Sequence, residues 1–337
     1  MSSLQAVPLS KFASLLDTRQ LSLSDLQSIF QRAAEFSRQS RNGLNFSSDQ
    51  NLGTKPEAAK IIASLFLEPS TRTRMSFQIA AQRLGHRTVV LDGDRTSSMS
   101  KGESDVDTVL NIAAMRPDAI IVRYNLSPGL DELLPTLDIP VISAGSGTLH
   151  HPTQALLDAF TIMRERGHHD HRLDGERVLI VGDIAHSRVA SSNFDTLLRL
   201  GAEVAICGPP DLLPQGGGLQ GVDYRSIKVF SDLNVAIEWP TVYMGLRIQL
   251  ERHDHSSAEL RQQLASDFHG KFGLSEARLR KLDASATILH PGPINHGVEF
   301  CPEVVRDPRS RILEQVTNGV LIRAAVLERS LHRVAAV

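Results

Sequence analysis

Short runs of apolar, largely β-branched residues alternate along this 337-residue chain with stretches of helical periodicity. That alternation constrains the fold more than any other feature. Ile61 to Phe66 reads as a buried strand, followed by a helix from Thr71 to Leu84. Strands at Thr88–Leu91, Ala119–Val122 and Pro140–Ser143 follow, with a helix from about Glu103 to Met115 among them. After the Gly/Ser/His loop Ala144–His151 a helix runs from Pro152 to about Arg166. The polar segment Gly167–Glu176 then leads into Val178–Val181, a helix from Ser187 to Leu200, and the strand Glu203–Ile206. Strands separated by helices pair in parallel, so the expected fold class is α/β, with two domains that are each a mainly parallel sheet flanked by helices. A last helix, about Pro308 to His332, is expected to set Ile312, Val316, Val320, Ala324 and Leu327 on one face.

Composition removes several functional classes. Apolar residues at 41% supply a sizeable core, and 36 basic against 38 acidic side chains give a net charge of −2. Nucleic acid is therefore not expected as a partner, because a counterion-releasing surface needs concentrated positive charge. No run approaches the roughly 20 apolar residues of a membrane span, and Met1–Leu16 lacks the basic start and apolar run of a secretion signal. Cys207 and Cys301 stand far apart, in no metal-ligand spacing. These features together point to a cytoplasmic protein. His168, His169 and His171 lie in a polar connector without a carboxylate-rich framework, so no metal is expected there. Val181-Gly182-Asp183 lacks the glycine spacing of a dinucleotide site.

The segment Phe66-Leu67-Glu68-Pro69-Ser70-Thr71-Arg72-Thr73-Arg74 carries the first chemical signal. A buried strand stops at Pro69 and a helix starts at once. Helix starts expose unpaired N–H groups at the positive end of the helix dipole. Hydroxyls of Ser70, Thr71 and Thr73 and the guanidinium of Arg72 join them, a donor set suited to a phosphate dianion. Plain capping by Ser70 or Thr71 would account for one hydroxyl, not for three hydroxyls and two arginines within five residues.

This segment resembles the carbamoyl-phosphate signature of the aspartate/ornithine carbamoyltransferase family. Further segments agree in order: Ser97–Glu103, Ile121-Val122-Arg123, His151-Pro152-Thr153-Gln154, Arg247-Ile248-Gln249 and His290-Pro291-Gly292-Pro293. The resemblance implies a carbamoyl-phosphate-binding domain over residues 1–151, completed by the C-terminal helix 308–332 packing back on it, and an aspartate-binding domain over residues 152–307. It implies that Ser70, Thr71, Arg72 and Thr73 hold phosphate. Thr73, Arg123 and His151 would gather round the carbonyl oxygen, and Gln154 and the Pro291 carbonyl would meet the carbamoyl nitrogen. Ser97 and Lys101 belong to a loop that in the family reaches a neighbouring subunit's site, which implies a homotrimer with shared active sites. Arg72, Thr73, Lys101, Arg123 and His151 are the implied catalytic residues.

The second substrate divides the family. Arg188 and Arg247 match the arginines that hold two carboxylates, Gln249 matches an orienting partner, and Lys101 and Gly292 complete the implied aspartate pocket. Forked guanidinium groups suit bidentate carboxylate binding. His-Pro-Thr-Gln and His-Pro-Gly-Pro also favour aspartate. The implied reaction carbamoylates the α-amine of L-aspartate, giving N-carbamoyl-L-aspartate and phosphate, an early step towards pyrimidines, with no cofactor and no metal. Ornithine or N-acylornithine carbamoylation and a non-catalytic scaffold chain are the alternatives. A regulatory or dihydroorotase-like partner chain stays open. Tyr124-Asn125, Ser146, Thr241 and His296 depart from the common family pattern, none at a residue assigned to a reacting atom.

Overall fold

The computed structural model describes residues 13–41, 46, 58–92, 102–147, 149–214, 227–248 and 258–332. Its chain divides into two compact units: residues 1–153 with 318–337, and residues 154–317. Each unit is built on one fully parallel sheet.

In the first unit, β1 (Ile61–Phe66), β2 (Arg87–Asp92), β3 (Ala119–Tyr124) and β4 (Val141–Ser146) lie in the order β2-β1-β3-β4. Both β3 and β4 are buried along their whole length, as strands covered on both faces must be. Ala63, Leu65, Ile120, Val122 and Val141 pack there with Val109, Leu130 and Leu134 from the helical connections. Helix α1 (Leu23–Arg41) buries Leu26, Ile29, Phe30, Ala33 and Phe36, a stripe at helical spacing that the sequence reading passed over. Helix α2 (Thr71–Arg83) follows β1. Helix α3 (Asp105–Ala114) is capped by Ser104, whose side chain accepts from the Asp107 N–H at 3.1 Å. The short α4 (Pro128–Leu133) leads towards β4.

In the second unit, α5 (Pro152–Arg166) leads into β5 (Arg177–Val181), α6 (Arg188–Arg199), β6 (Glu203–Cys207), β7 (Lys228–Phe230) and α7 (Leu233–Ala236). Then come β8 (Val242–Gly245), α8 (Ala258–Phe272), α9 (Glu276–Lys281) and β9 (Thr287–Leu289). The strand order is β7-β6-β5-β8-β9. Leu179, Val181, Ala205, Tyr243, Ile288 and Phe300 form the centre of its core.

Helix α10 (Ile312–Leu331) begins in the second unit, and its residues from Asn318 onward belong to the first. It starts four residues later than the sequence pattern indicated, and Val316 is 47% exposed instead of lining the apolar face. The buried position of that turn belongs to Gln315, which hydrogen-bonds Asp158 and the His290 N–H. A polar pairing, invisible to a count of apolar residues, sets which side of the helix start is covered. Further on, Leu321–Leu327 are all buried, Ala324 and Leu327 among them.

Both sheets reverse their strand order at one point. From β1 the chain moves outward to β2 and then returns to β3 on the other side. From β5 it runs out through β6 and β7 and returns to β8. Beyond the carboxyl ends of two such strands the connections diverge to opposite faces, which leaves a crevice where α/β sheets bind ligands. The first lies beyond Phe66 and Arg123, which pair in register; the second lies beyond Val181 and Gly245.

Gly182 closes the second crevice tightly. Its φ is +139°, and a Cβ there would stand 2.5 Å from the Leu246 carbonyl oxygen. Gly182→Ala is therefore expected to cost about 2 kcal/mol or more. A thermal scan should show the midpoint lowered by roughly 5 °C, and an unchanged midpoint would refute the close approach.

Candidate active site

The first crevice collects the donors of the Ser-Thr-Arg-Thr segment. Leu67 N–H donates to the Arg123 carbonyl at 2.8 Å, fastening the end of β1 to β3 just before the chain turns into α2. Ser70 occupies the N-cap position with extended backbone, yet its side chain makes no capping hydrogen bond. Capping therefore does not explain the hydroxyls. Thr71 and Arg72 are exposed at the helix start, while Thr73 is buried.

Arg123 is buried at the end of β3. Its Nη2 donates to Glu68 Oε1 at 2.7 Å and its Nη1 to the Ala144 carbonyl at 3.3 Å. Glu68, the acid inside the phosphate-like motif, received no role from the sequence; it fixes the direction of the guanidinium. Gly145 was missed too. At φ +122°, a Cβ on it would lie 3.2 Å from Arg123 Nη1 and 3.6 Å from His151 Cδ2. One glycine thus borders both Arg123 and His151, and His151 is buried directly before Pro152, the first residue of α5.

The second crevice holds the remaining arginines. After β5, Asp183 accepts from the His186 N–H at 3.2 Å, and Ser187 caps α6 by accepting from the Ala190 N–H at 3.2 Å. Arg188 is the first residue of that helix. After β8, Leu246 N–H donates to the Val181 carbonyl at 2.7 Å and Ile248 N–H to Glu299 Oε1 at 2.8 Å, so both flanks of Arg247 are tied down. Burial pushes the Glu299 carboxyl above its ordinary pKa, against the pull of the N–H groups of Ile248 and Asn295. After β9, Gly292 N–H donates to His290 Nδ1 at 2.9 Å within the turn that carries Pro291. Gln154, buried in the first turn of α5, donates from Nε2 to Asp158 Oδ1 at 2.8 Å, which leaves its Oε1 as the outward pole.

A pattern among the helix starts separates these crevices from the rest of the fold. Helices α1, α3, α4, α9 and α10 carry an acidic residue in the first turn, where the dipole favours it. Helices α2, α5 and α6 carry none, and neither does the one-turn α7, which has an acid, Asp232, at its N-cap instead. Instead α2 opens with Arg72 and Arg74, and α6 opens with Arg188. A cation there loses a few tenths to about 1 kcal/mol against the dipole, and a bound anion more than offsets that loss through charge-assisted hydrogen bonds of roughly 1.5–3 kcal/mol each. Two anion sites, each at a strand-order reversal, are what this arrangement can serve.

Family comparisons agree in both halves. The pattern describing the aspartate/ornithine carbamoyltransferase carbamoyl-P binding domain matches residues 13–164, and that describing the Asp/Orn binding domain matches residues 174–329. The aspartate carbamoyltransferase catalytic subunit of Solibacter usitatus is 43% identical over 94% of this chain and 98% of its own. That of Myxococcus xanthus is 46% identical over 80% and 86%. The chain belongs to the aspartate/ornithine carbamoyltransferase family. Among solved structures, aspartate transcarbamoylase from Trypanosoma cruzi in complex with carbamoyl phosphate and aspartate is similar with a TM-score of 0.78 at 27% identity. That likeness covers 97% of this chain and 98% of the other.

Within this family member, Ser70, Thr71, Arg72, Thr73, Arg123 and His151 fall in the first unit, Arg123 at the carboxyl end of β3 and the others after the carboxyl ends of β1 and β4. Arg188, Arg247, Pro291 and Gly292 likewise follow β5, β8 and β9, and Gln154 lies in the first turn of α5. Ser97, Lys101 and Gln249 lie outside the described residues. Of the departures from the family pattern, Thr241 stands at the opposite, amino-terminal edge of its sheet. There it donates to Glu176 Oε2 at 2.5 Å, and Arg166 and His168 bind the same carboxylate. Burial alone would raise the Glu176 pKa; these three partners outweigh it and hold the carboxyl below its ordinary value. Tyr124 donates to Asp131 at 2.6 Å. No group of three or more potential metal ligands occurs among the described residues, and no helix among them is long and apolar enough to cross a membrane.

Gly145→Ala should push the Arg123 guanidinium away from Glu68. Binding of carbamoyl phosphate, the ligand implied for Arg123 and His151, is expected to weaken about tenfold, alongside a loss of stability from the positive φ of that position. Titration calorimetry showing wild-type affinity would show that these two side chains do not depend on the glycine.

Proposed function

We propose that the protein transfers the carbamoyl group of carbamoyl phosphate to the α-amine of L-aspartate, giving N-carbamoyl-L-aspartate, a pyrimidine precursor, and phosphate. The observation that carries this reading is the pair of acid-free, arginine-bearing helix starts at the two strand-order reversals. Support comes from the relatives named as catalytic subunits of aspartate carbamoyltransferase. Further support comes from the Trypanosoma cruzi structure in complex with carbamoyl aspartate and phosphate, similar with a TM-score of 0.77 at 26% identity.

Ser70, Thr71, Arg72 and Thr73 hold the phosphate, with the N–H groups of the first turn of α2. Thr73, Arg123 and His151 aim donors at the carbonyl oxygen, and Gln154 Oε1 and the Pro291 carbonyl accept from the carbamoyl NH2. Arg188 and Arg247 bind the aspartate carboxylates, with Gln249 and Gly292 beside them. The amine lone pair attacks the carbonyl carbon, the C–N bond forms, and the carbonyl π electrons move onto oxygen. Charge gathers where the three donors point, which lowers the barrier because those dipoles are already oriented. Collapse breaks the C–O bond to phosphate, and the departing phosphate takes the proton lost by the amine. No covalent enzyme intermediate is needed, and the chain's contribution is to hold two mutually repelling anions in register.

We further propose, from the family resemblance, that Ser97 and Lys101 act in a neighbouring subunit's site of a homotrimer, which works in the cytoplasm.

Assays with carbamoyl phosphate and either aspartate or ornithine test the substrate: turnover of aspartate alone is expected. Arg247→Ala should raise the KM for aspartate at least about 100-fold while that for carbamoyl phosphate changes little, since one bidentate contact is worth a few kcal/mol. Ornithine turnover, or equal effects on both KM values, would refute the aspartate assignment. Subunit sharing has its own test. Inactive Lys101→Ala and Arg72→Ala chains, mixed and reassembled, should regain part of the wild-type activity, and hybrids without any would count against a shared site.

A further inference from the structure

A carbamoyl group differs from other acyl groups by its NH2, and the proposed function gives that NH2 two acceptors, Gln154 Oε1 and the Pro291 carbonyl. Both are linked to one carboxylate by hydrogen bonds. Asp158 is fully buried on α5, and its Oδ1 accepts from Gln154 Nε2 at 2.8 Å and from Gln315 Nε2 at 2.7 Å. Its Oδ2 accepts from Asn193 Nδ2 at 2.9 Å. An ionised carboxylate only accepts hydrogen bonds, so each amide must turn its nitrogen inward and its oxygen away. For Gln154 this makes Oε1 the outward pole. For Gln315 it aims Oε1 at the His290 N–H, which donates to it at 2.9 Å. The His290 ring then accepts the Gly292 N–H on Nδ1 at 2.9 Å, and its Nε2 stands 4.0 Å from Glu299. Gly292 N–H and the Pro291 carbonyl share one planar peptide, so anchoring the N–H fixes the carbonyl on the opposite side.

We propose that Asp158 is a positioning residue for carbamoyl recognition. It orients the Gln154 oxygen directly and the Pro291 carbonyl through Gln315 and His290, and this makes the site select a carbamoyl over an acyl group without NH2. The proposal rests on the reading in which those two acceptors meet the carbamoyl nitrogen. Asp158→Asn keeps the shape but supplies a group that can donate as well as accept, so it no longer dictates which way either glutamine amide faces.

The test compares three ligands on the intact enzyme: the KM of carbamoyl phosphate and the inhibition constants of acetyl phosphate, with CH3 in place of NH2, and of inorganic phosphate. Asp158→Asn should weaken carbamoyl phosphate at least about 10-fold and leave the other two within about twofold of wild type. Equal weakening of all three would reduce Asp158 to a structural role and overturn the proposal, as would no change in any. Should that variant fail to fold, Gln315→Leu releases the His290 turn and removes one donor to Asp158 while leaving Gln154 on the carboxylate, and a selective loss of about 3- to 5-fold for carbamoyl phosphate is expected; a loss shared by acetyl phosphate overturns the proposal. If wild-type enzyme holds acetyl phosphate as well as carbamoyl phosphate, the two acceptors do not read the NH2, and the underlying assignment fails with the proposal.

Discussion

An arginine at the start of a helix faces the positive end of the dipole, and this protein keeps arginines there on the two helices that leave its strand-order reversals. The loss at each position is below about 1 kcal/mol, small enough for the fold to carry. The gain appears only with an anion in place, when the same dipole and the same guanidinium act together. Helices α1, α3, α4, α9 and α10 follow the opposite preference, α3 with Asp105 and Asp107 in its first turn. The contrast within one chain matters more than any single arginine, because five helices follow the dipole rule while α2 and α6 open on arginine.

Much of this was legible in the sequence. The β-branched runs gave the strands of the first sheet to within a few residues, and the hydroxyl and arginine cluster after Phe66 announced an anion site without reference to any family. The family resemblance then supplied the order of the remaining motifs. Other parts were not legible for identifiable reasons. Strands β7 and β9 have three residues each, too few for a period to show, and α1 hides its stripe of Leu26, Ile29, Phe30, Ala33 and Phe36 among serines and glutamines. Glu68 acts through Arg123, 55 positions away, and Gly145 through Arg123 on the neighbouring strand and through His151. No local pattern encodes such contacts. The start of α10 was misread for the same reason: Gln315 is buried by partners at positions 158 and 290.

In the proposed mechanism two kinds of donor divide the labour by charge. Where a full negative charge exists in the ground state, on phosphate and on carboxylates, the chain offers guanidinium groups and helix N–H donors. Where charge only develops, on the carbonyl oxygen, the reading assigns one guanidinium, a hydroxyl and an imidazole. Arg123 is the informative case, because Glu68 stands 2.7 Å from its Nη2. A buried arginine facing an empty site would be a costly uncompensated charge. Pairing it with a carboxylate keeps the empty site stable and moderates the local positive field, while the rigid fork still presents N–H bonds in a fixed direction. In the proposed mechanism this keeps ground-state attraction for the carbonyl modest and makes the stabilisation greatest when the oxygen carries charge, which is the condition for lowering a barrier and not merely deepening a binding well.

The nitrogen end of the carbamoyl group poses the reverse problem, since there the site must accept hydrogen bonds without adding negative charge beside an incoming dicarboxylate. A carboxylate in direct contact would accept well but repel aspartate and disturb its own protonation. Neutral carbonyl oxygens avoid both difficulties, yet an amide side chain can flip, and a flipped Gln154 would present N–H groups to N–H groups. In the proposed arrangement the carboxylate of Asp158 stands one residue further back: fully buried, it sets the polarity of Gln154 and Gln315, so that the neutral oxygens of Gln154 and Pro291 meet the carbamoyl group while that of Gln315 accepts from His290. The same device explains why a helix start as polar as that of α10 is held buried at Gln315 while Val316 beside it remains in solvent.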